Sequence, residues 1–527
     1  MSLEEARRRS AEGPPVGLVT LVGAGPGDPG LLTRAGAEAL GRADAVVYDQ
    51  LVQSRLLDLA RPGADRIFAG KSRGKCPVPQ GEINALLVRL AREGKAVVRL
   101  KGGDPYVFGR GAEEAEYLHD AGVPFRIVPG VTAGVGATSY AGIPVTHREA
   151  TSAVAFVTGH NEPGDPADRL DWPALARFPG TLVFYMGFRH LGSICSTLVG
   201  LGKPPGTPAA LVCSGSTASQ RTVSGRLADL PDRVENEGDR LGAPALLVVG
   251  DVVARRDRLR WFERLPLFGR VVLLIRPIGE SDRSAADLER LGAEVLVAPT
   301  VQILPVGDAG PMDSAIARLD SFDWLVFTSG NGVSAFLDRI EALGRDLRAL
   351  GHLKLAAIGP GTAEVLGRSR LRADLIPASF RSEGLAEALR PLVAGRRVLL
   401  ARADRGRDLL REELGEVAEV EQVAAYRNAD AEALPKTVVD RLERGEVDWI
   451  TLTSSAIASR LHGLLPDRAR QLVSSGSIRL ASISPVTSEA ARSLGWPVAA
   501  EASEHTWPGL VRALLDEASA TKDAEGS

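Results

Sequence analysis

A chain of 527 residues with a net charge of −3 and 44% apolar residues has length for roughly three or four domains, each with its own core. The balanced charge, and the lack of any uninterrupted apolar run near about 18 residues, exclude a membrane span and a surface built to coat nucleic acid. Three scattered cysteines and seven histidines with no H-x-x-x-H spacing exclude a disulfide framework and a zinc knuckle, so no metal is expected.

Residues 1–15 are charged and end in Gly13-Pro14-Pro15. They read as a loose leader without the apolar core of a secretory signal, which predicts a cytoplasmic protein. The fold starts near Val16. The apolar run from Leu18 to Val22 reads as a buried strand that ends in Gly23-Ala24-Gly25-Pro26-Gly27-Asp28, ahead of an amphipathic segment from Thr33 to Leu40. Glycines there let a ligand approach the backbone, whose free N–H groups suit an anion or a nucleobase edge. A dinucleotide loop needs a third glycine at position 28, where Asp28 stands, and Pro26 stiffens the turn. Asp49 passes for a ribose-binding acid, so the loop alone leaves nicotinamide and other adenosine-bearing ligands open.

Strand-like runs at Val46–Tyr48, Arg66–Ala69 and Ala96–Leu100 alternate with helical patterns such as Ile83, Leu86, Leu87 and Leu90. That alternation predicts a mostly parallel sheet, with ligands at the carboxyl ends of its strands. The glycine loop, Tyr48-Asp49 and Lys101-Gly102-Gly103-Asp104-Pro105 are all such ends. They are expected to converge in one crevice.

The order Val22–Thr33, Val47-Tyr-Asp49, Gly70-Lys-Ser72, Lys101–Arg110, Val128–Ala133 and Gly142–Arg148 resembles the tetrapyrrole methylases, and within them the uroporphyrinogen-III C-methyltransferases, from about Val16 to Phe262. The resemblance implies a two-lobed α/β fold (16–141 and 142–262) that holds S-adenosylmethionine. It implies donor contacts at Pro26, Gly102, Gly103, Asp104, Val107, Thr132, Ala133, Met186, Gly215 and Ala243. It also implies Asp49 as proton acceptor and Lys71 as proton donor. Arg110, His147 and Arg148 are candidates for the carboxylates of uroporphyrinogen III, and a homodimer through this half is implied. Sirohaem synthases carry a nicotinamide-dependent dehydrogenase and ferrochelatase module ahead of a similar methylase. Only about 15 residues precede the start of the fold here, so that module is not expected.

Residues 263–269 read as a proline-containing linker, after which Val271–Ile275 begins a new sheet. Beyond it lies an internal repeat. Asp323-Trp324 with Thr328-Ser329 recurs as Asp448-Trp449 with Thr453-Ser454, Ile358–Thr362 as Ile483–Thr487, and Gly384-Leu385 as Gly509-Leu510, each 125 positions on. The expectation is two α/β lobes, 270–304 with 428–517 and 305–427, with crossovers at Val301–Val306 and Val423–Arg427 and a tail at 518–527. This pattern resembles uroporphyrinogen-III synthase, which closes hydroxymethylbilane while inverting its last pyrrole. Thr328, Ser329, Thr362, Thr453, Ser454 and Thr487 are candidates to hold carboxylates, and Tyr426 to stand beside the leaving hydroxyl. The competing expectation is a non-catalytic two-lobed tetrapyrrole-binding or sensor module.

Overall fold

The computed structural model describes residues 16–525 except 62, 71–77, 162, 166–167, 276–280, 299 and 406–407. Its contacts form two compact units. One runs to Val271 and includes Leu288–Glu294; the other comprises Val272–Asp287 and the chain from Val295. Among the described residues no helix is long and apolar enough to cross a membrane.

The first unit opens with strands β1 (Val19–Gly23), β2 (Ala45–Tyr48), β3 (Asp65–Phe68), β4 (Val97–Lys101) and β5 (Phe125–Val128). They form a sheet in the order β3-β2-β4-β1-β5, and every pairing is parallel. Two of its three inner strands, β1 and β4, are buried along their whole length, as befits strands covered on both faces. Val19 and Leu21 join the core with Ile83, Leu87 and Leu118, and Val22 joins another with Leu40 and Leu56. Because the strands run one way, the loops after β1, β2, β4 and β5 all emerge at one edge.

The same unit continues with β6 (Val154–Thr158), β7 (Thr181–Tyr185), β8 (Pro208–Cys213), β9 (Arg221–Arg226) and β10 (Ala245–Val249). Their order is β6-β7-β10-β8-β9. Only β6–β7 is parallel; the other pairings are antiparallel, with β8 and β9 joined by the short turn 214–220.

In the second unit β11 (Val271–Leu274) and β12 (Glu294–Val297) enter one sheet, and β13 (Val301–Leu304), β14 (Trp324–Phe327), β15 (Lys354–Ala357), β16 (Arg397–Ala403) and β17 (Glu419–Asp430) form another. The chain then returns to the first of these with β18 (Trp449–Leu452), β19 (Arg479–Ser482) and β20 (Ala500–Glu501). The orders are β12-β11-β18-β19-β20 and β13-β17-β16-β14-β15. Repeat spacing and element positions coincide. Strand β14 maps on β18 and β15 on β19, and the helices Pro360–Arg368 and Pro485–Ser493 begin 125 residues apart, as their sequences do. The first stretch read as a crossover supplies β13, which runs antiparallel to residues 427–430, the last of the twelve-residue β17, so 301–304 and 428–430 join the sheet of the lobe expected at 305–427 rather than the other lobe.

Candidate functional site

At the carboxyl edge of the first sheet the glycine loop extends the β1–β4 pairing beyond the strands. Ala24 N–H donates to Lys101 O (2.7 Å), and Gly25 and Gly103 exchange backbone hydrogen bonds of 3.2 and 2.7 Å. Gly25 is left-handed at φ 80°, where glycine is at ease. A Cβ on Gly130 would stand 2.3 Å from Gly103 O and 2.7 Å from Gly23 Cα, so three strand ends meet where only glycine fits. Asp104 ties them together. Its Oδ2 accepts from Gly130 N–H (3.0 Å) and its Oδ1 from Tyr106 N–H (2.8 Å), so both oxygens serve the loop backbone.

Asp28, which breaks the dinucleotide pattern, caps a short turn at Pro29–Leu31 through Gly30 N–H (2.7 Å). Its other oxygen accepts from Tyr140 Oη at 2.5 Å. Burial, helped by that carboxylate, raises the Tyr140 pKa and keeps the hydroxyl a donor. Pro26 lies where a Cβ on Gly136 would come within 2.7 Å of its ring, and a Cβ on Gly215 would meet Ala137 Cβ at 2.2 Å. The helix Ala133–Tyr140 and the turn 214–220 thus close on the glycine loop.

A polar chain runs from that loop to the residues after Arg255. Asp28 N–H donates to Ser216 Oγ (3.1 Å), Ser216 N–H to Gln220 Oε1 (2.8 Å), and Gln220 Nε2 to Glu263 Oε1 (2.8 Å). Glu263 also accepts from Thr222 (2.8 Å) and from the buried Arg256 (2.5 Å), whose other nitrogen donates to Ala141 O at 2.6 Å. Residues 263–268, read from sequence as the start of a linker, are therefore part of this unit, and the Phe262 and Phe268 rings meet at 5.3 Å. Glu263→Ala leaves the Arg256 guanidinium unpaired and costs about 3 kcal/mol of unfolding free energy. Denaturant titration checks this, and unchanged stability would show that the pair carries no load.

Tyr185, at the end of β7, was not singled out by sequence. Its hydroxyl accepts from Gly134 N–H (2.7 Å) and bonds Thr132 Oγ1 (2.7 Å). Burial raises its pKa, so it stays neutral, and its ring packs against Phe108 at 4.9 Å. The next residue, Met186, is about half exposed and left-handed (φ 59°). Among the described residues six non-glycines take such angles. Five of them, Phe108, Arg110, Met186, Ser214 and Ser216, are in loops of this unit, a concentration of backbone strain that marks functional sites. Val107 and Ala133 are partly buried against the core around Tyr185. Gly102 leaves room for Leu51, whose Cβ is 2.9 Å from where its own would lie, and Ala243 is exposed beside Pro244, whose carbonyl accepts from Ser214 N–H (2.8 Å).

Asp49 follows β2 at the same edge. Its Oδ1 is 2.6 Å from Arg99 Nη2 and its Oδ2 is 4.0 Å from Lys101 Nζ. Arg99 and Lys101 also reach Glu114 Oε1, at 3.2 and 2.9 Å. Burial, with the Arg99 charge next, lowers the Lys101 pKa, while Glu114 and Asp49 oppose the shift. Lys71 lies outside the described residues. Arg110 is exposed and paired with Glu113 at 2.6 Å, a solvent-screened ion pair that contributes little to stability. His147 Nδ1 accepts from Glu149 N–H (3.2 Å), and Arg148 is exposed. Burial pushes the Cys195 thiol up to about 12, which removes it as a nucleophile.

In the second unit Thr328, Ser329, Thr453 and Ser454 follow strand ends, whereas Thr362 and Thr487 lie in the first turns of the helices Pro360–Arg368 and Pro485–Ser493. Ser329, Ser454 and Ser484 cap helices through Gly332, Ile457 and Thr487 N–H at 3.0, 3.3 and 3.4 Å. Ser484 replaces the repeat's Gly359 without strain, because both are extended (φ −163° and −169°). Thr362 and Thr487 are buried, Thr328 and Thr453 partly so. Tyr426, 7% exposed, bonds Ser329 Oγ through its hydroxyl at 3.0 Å.

Comparison with known proteins matches residues 18–231 to the tetrapyrrole (corrin/porphyrin) methylases and residues 282–512 to uroporphyrinogen-III synthase HemD. The porphyrin biosynthesis protein HemD of Ruminiclostridium josui is 36% identical over 450 residues, 84% of this chain and 87% of that protein. The uroporphyrinogen-III C-methyltransferase of Bacillus subtilis is 39% identical over 69% of this chain and 74% of its own length. The chain also spans about half the length of several sirohaem synthases. Among solved structures, a uroporphyrin-III C-methyltransferase of Thermus thermophilus complexed with S-adenyl homocysteine is 42% identical, covering 45% of this chain and 99% of that one at a TM-score of 0.39.

Proposed function

For a chain that belongs to the tetrapyrrole methylases in its first part and to the HemD uroporphyrinogen-III synthases in its second, we propose two consecutive reactions. The second unit closes hydroxymethylbilane to uroporphyrinogen III with inversion of the last pyrrole. The first unit then methylates that product twice, giving precorrin-2. The observation that carries the methyl-transfer step is the meeting of a glycine cradle and a partly exposed carboxylate, Asp49, at one edge of a parallel sheet.

The cradle fits S-adenosylmethionine. Side chains are excluded at Gly23, Gly103 and Gly130 by backbone atoms within 3 Å or by a left-handed angle, which leaves main-chain groups to meet the donor. Pro26, Gly102, Gly103, Asp104, Val107, Thr132, Ala133, Met186, Gly215 and Ala243 would hold it. When bound, it supplies an electrophilic methyl group. Asp49 takes the proton that the macrocycle must lose, Lys71 returns one, and Arg110, His147 and Arg148 bind the carboxylates that orient the ring. The chain acts as a homodimer in the cytoplasm in this proposal.

Closure of the bilane asks for shape rather than strong catalysis, because the open form loses its hydroxyl readily. Tyr426 and Ser329 form the polar pair nearest that task, with Thr328, Thr362, Thr453, Ser454 and Thr487 as carboxylate contacts. Tyr426→Phe keeps the ring's packing and removes one hydrogen bond. If that bond assists departure of water, synthesis falls by about 10- to 10²-fold and the symmetric isomer rises. Rate and isomer ratio equal to the parent would reduce Tyr426 to a packing residue.

The whole proposal is tested by giving the purified chain hydroxymethylbilane and S-adenosylmethionine and resolving products by mass and isomer. Dimethylated isomer III supports it. If added uroporphyrinogen III is methylated but hydroxymethylbilane yields only the symmetric isomer, the second unit is a binding module. Tight NADH binding without S-adenosylhomocysteine binding would sink the methyltransferase proposal.

A further inference from the structure

Asp49 is the accessible end of a charge cluster that is otherwise sealed. Its side chain is 28% exposed, against 2% for Arg99, 4% for Lys101 and 0% for Glu114. Arg99 and Lys101 are two apart on β4 and so point to one face. There they meet Glu114 of the helix Gly111–Asp120 and Gln80 of the helix Gln80–Arg92, whose Nε2 donates to Glu114 Oε1 at 3.0 Å and to Asn84 Oδ1 at 2.9 Å. One oxygen of Glu114 thus receives three donors, while its Oε2 is buried without a hydrogen bond.

Such an arrangement is a poor way to stabilise a sheet. Apolar side chains of similar volume usually do as well as or better than a buried ion cluster, and the unpartnered oxygen carries a desolvation cost. Its charge count suits another purpose. With Asp49 ionised, two cations face two carboxylates and the set is neutral. A proton taken up by Asp49 leaves it one positive charge in excess in a region of low dielectric, which drives the proton off again.

We propose that Lys101 and Glu114 are positioning residues that set the proton affinity of Asp49, so that it accepts a proton during each methylation and is cleared before the next. This rests on Asp49 being the proton acceptor. Among the described residues the groups facing Asp49 are Arg99 and Lys101 from β4, with Glu114 behind them and the neutral Gln80 and Asn84 behind Glu114; Tyr48 precedes it on β2. Burial and the Arg99 charge lower the Lys101 pKa, and Glu114 and Asp49 oppose that shift.

The test is a charge-balance cycle in the full chain. Lys101→Met leaves the set one charge negative and Glu114→Gln leaves it one positive, whereas the double variant is neutral again. Each single change should lower kcat for methylation about 10-fold or more, and the double variant should recover at least about 3-fold over the slower single. The acid limb of kcat/KM should move up in pH for Lys101→Met and down for Glu114→Gln. Affinity for S-adenosylhomocysteine should stay within about 2-fold throughout, because the glycine cradle is untouched. Additive losses with an unmoved acid limb would overturn the proposal and make the cluster structural. If Lys101→Met does not fold, Lys101→Arg keeps the charge and should keep the parent limb, and a displaced limb there would equally count against it. Asp49→Asn separates the two levels: an unchanged rate removes the premise, whereas a slow Asp49→Asn beside unaffected cluster variants removes only this proposal.

Discussion

Asp49→Asn is expected to slow methyl transfer by about 10²-fold or more while donor affinity changes little. The substitution is nearly isosteric. An amide oxygen can still accept from Arg99, so the loop after β2 keeps its shape, but the group proposed to take the proton is no longer a base. The competing role is structural, because Asp49 is also the partner of a buried guanidinium at 2.6 Å. That role predicts a lower melting temperature, since the sealed cations lose a counter-charge, with the rate per folded molecule intact. Measuring single-turnover methylation and S-adenosylhomocysteine affinity on the same sample distinguishes the two. A rate equal to the parent's would return Asp49 to the structural role.

The sequence was most legible where local chemistry and architecture coincide. A glycine run after an apolar pentapeptide is a strand end whatever lies beyond it, and the structure joins that run to Gly103 and Gly130 through backbone contacts that no side chain tolerates. The 125-residue spacing reappears in strands and helix starts because each repeat must cover its own sheet. Less legible were residues whose meaning depends on distant partners. Arg99 lies in a strand-like run and Lys101 at its end, and neither gave a sign of facing Glu114. Tyr185 was passed over beside Met186, although a tyrosine ending a buried strand implies a partner for its hydroxyl. Gln220 and Glu263 are 43 residues apart, and neither carries a motif. The antiparallel pairings of the second sheet were hidden for a related reason, because short strands joined by tight turns can pair with more than one neighbour.

Gly130→Ala should cripple the first unit's site more than any side-chain truncation there, with S-adenosylhomocysteine affinity falling by about 10²-fold or more. The new methyl would lie 2.3 Å from Gly103 O, 2.7 Å from Gly23 Cα and 2.8 Å from Gly23 C. All three are backbone atoms at the ends of β1 and β4, so no rotamer change relieves the clash. The loops must separate, which breaks the 3.0 Å bond from Gly130 N–H to Asp104 and misaligns the main-chain groups proposed to meet the donor. Gly81 is the control. A Cβ there meets nothing within 4 Å, and it lies in the helix Gln80–Arg92, where alanine is favoured over glycine by up to about 1 kcal/mol. Gly81→Ala should therefore bind S-adenosylhomocysteine as the parent does and melt no lower. Cyclisation of hydroxymethylbilane by the second unit, followed in the Gly130→Ala protein, reports whether the remainder of the chain is folded. Should that protein bind the ligand with parental affinity, the meeting of the three glycine loops would not be the donor site, and the strained residues around Met186 and Ser214 would be the place to look.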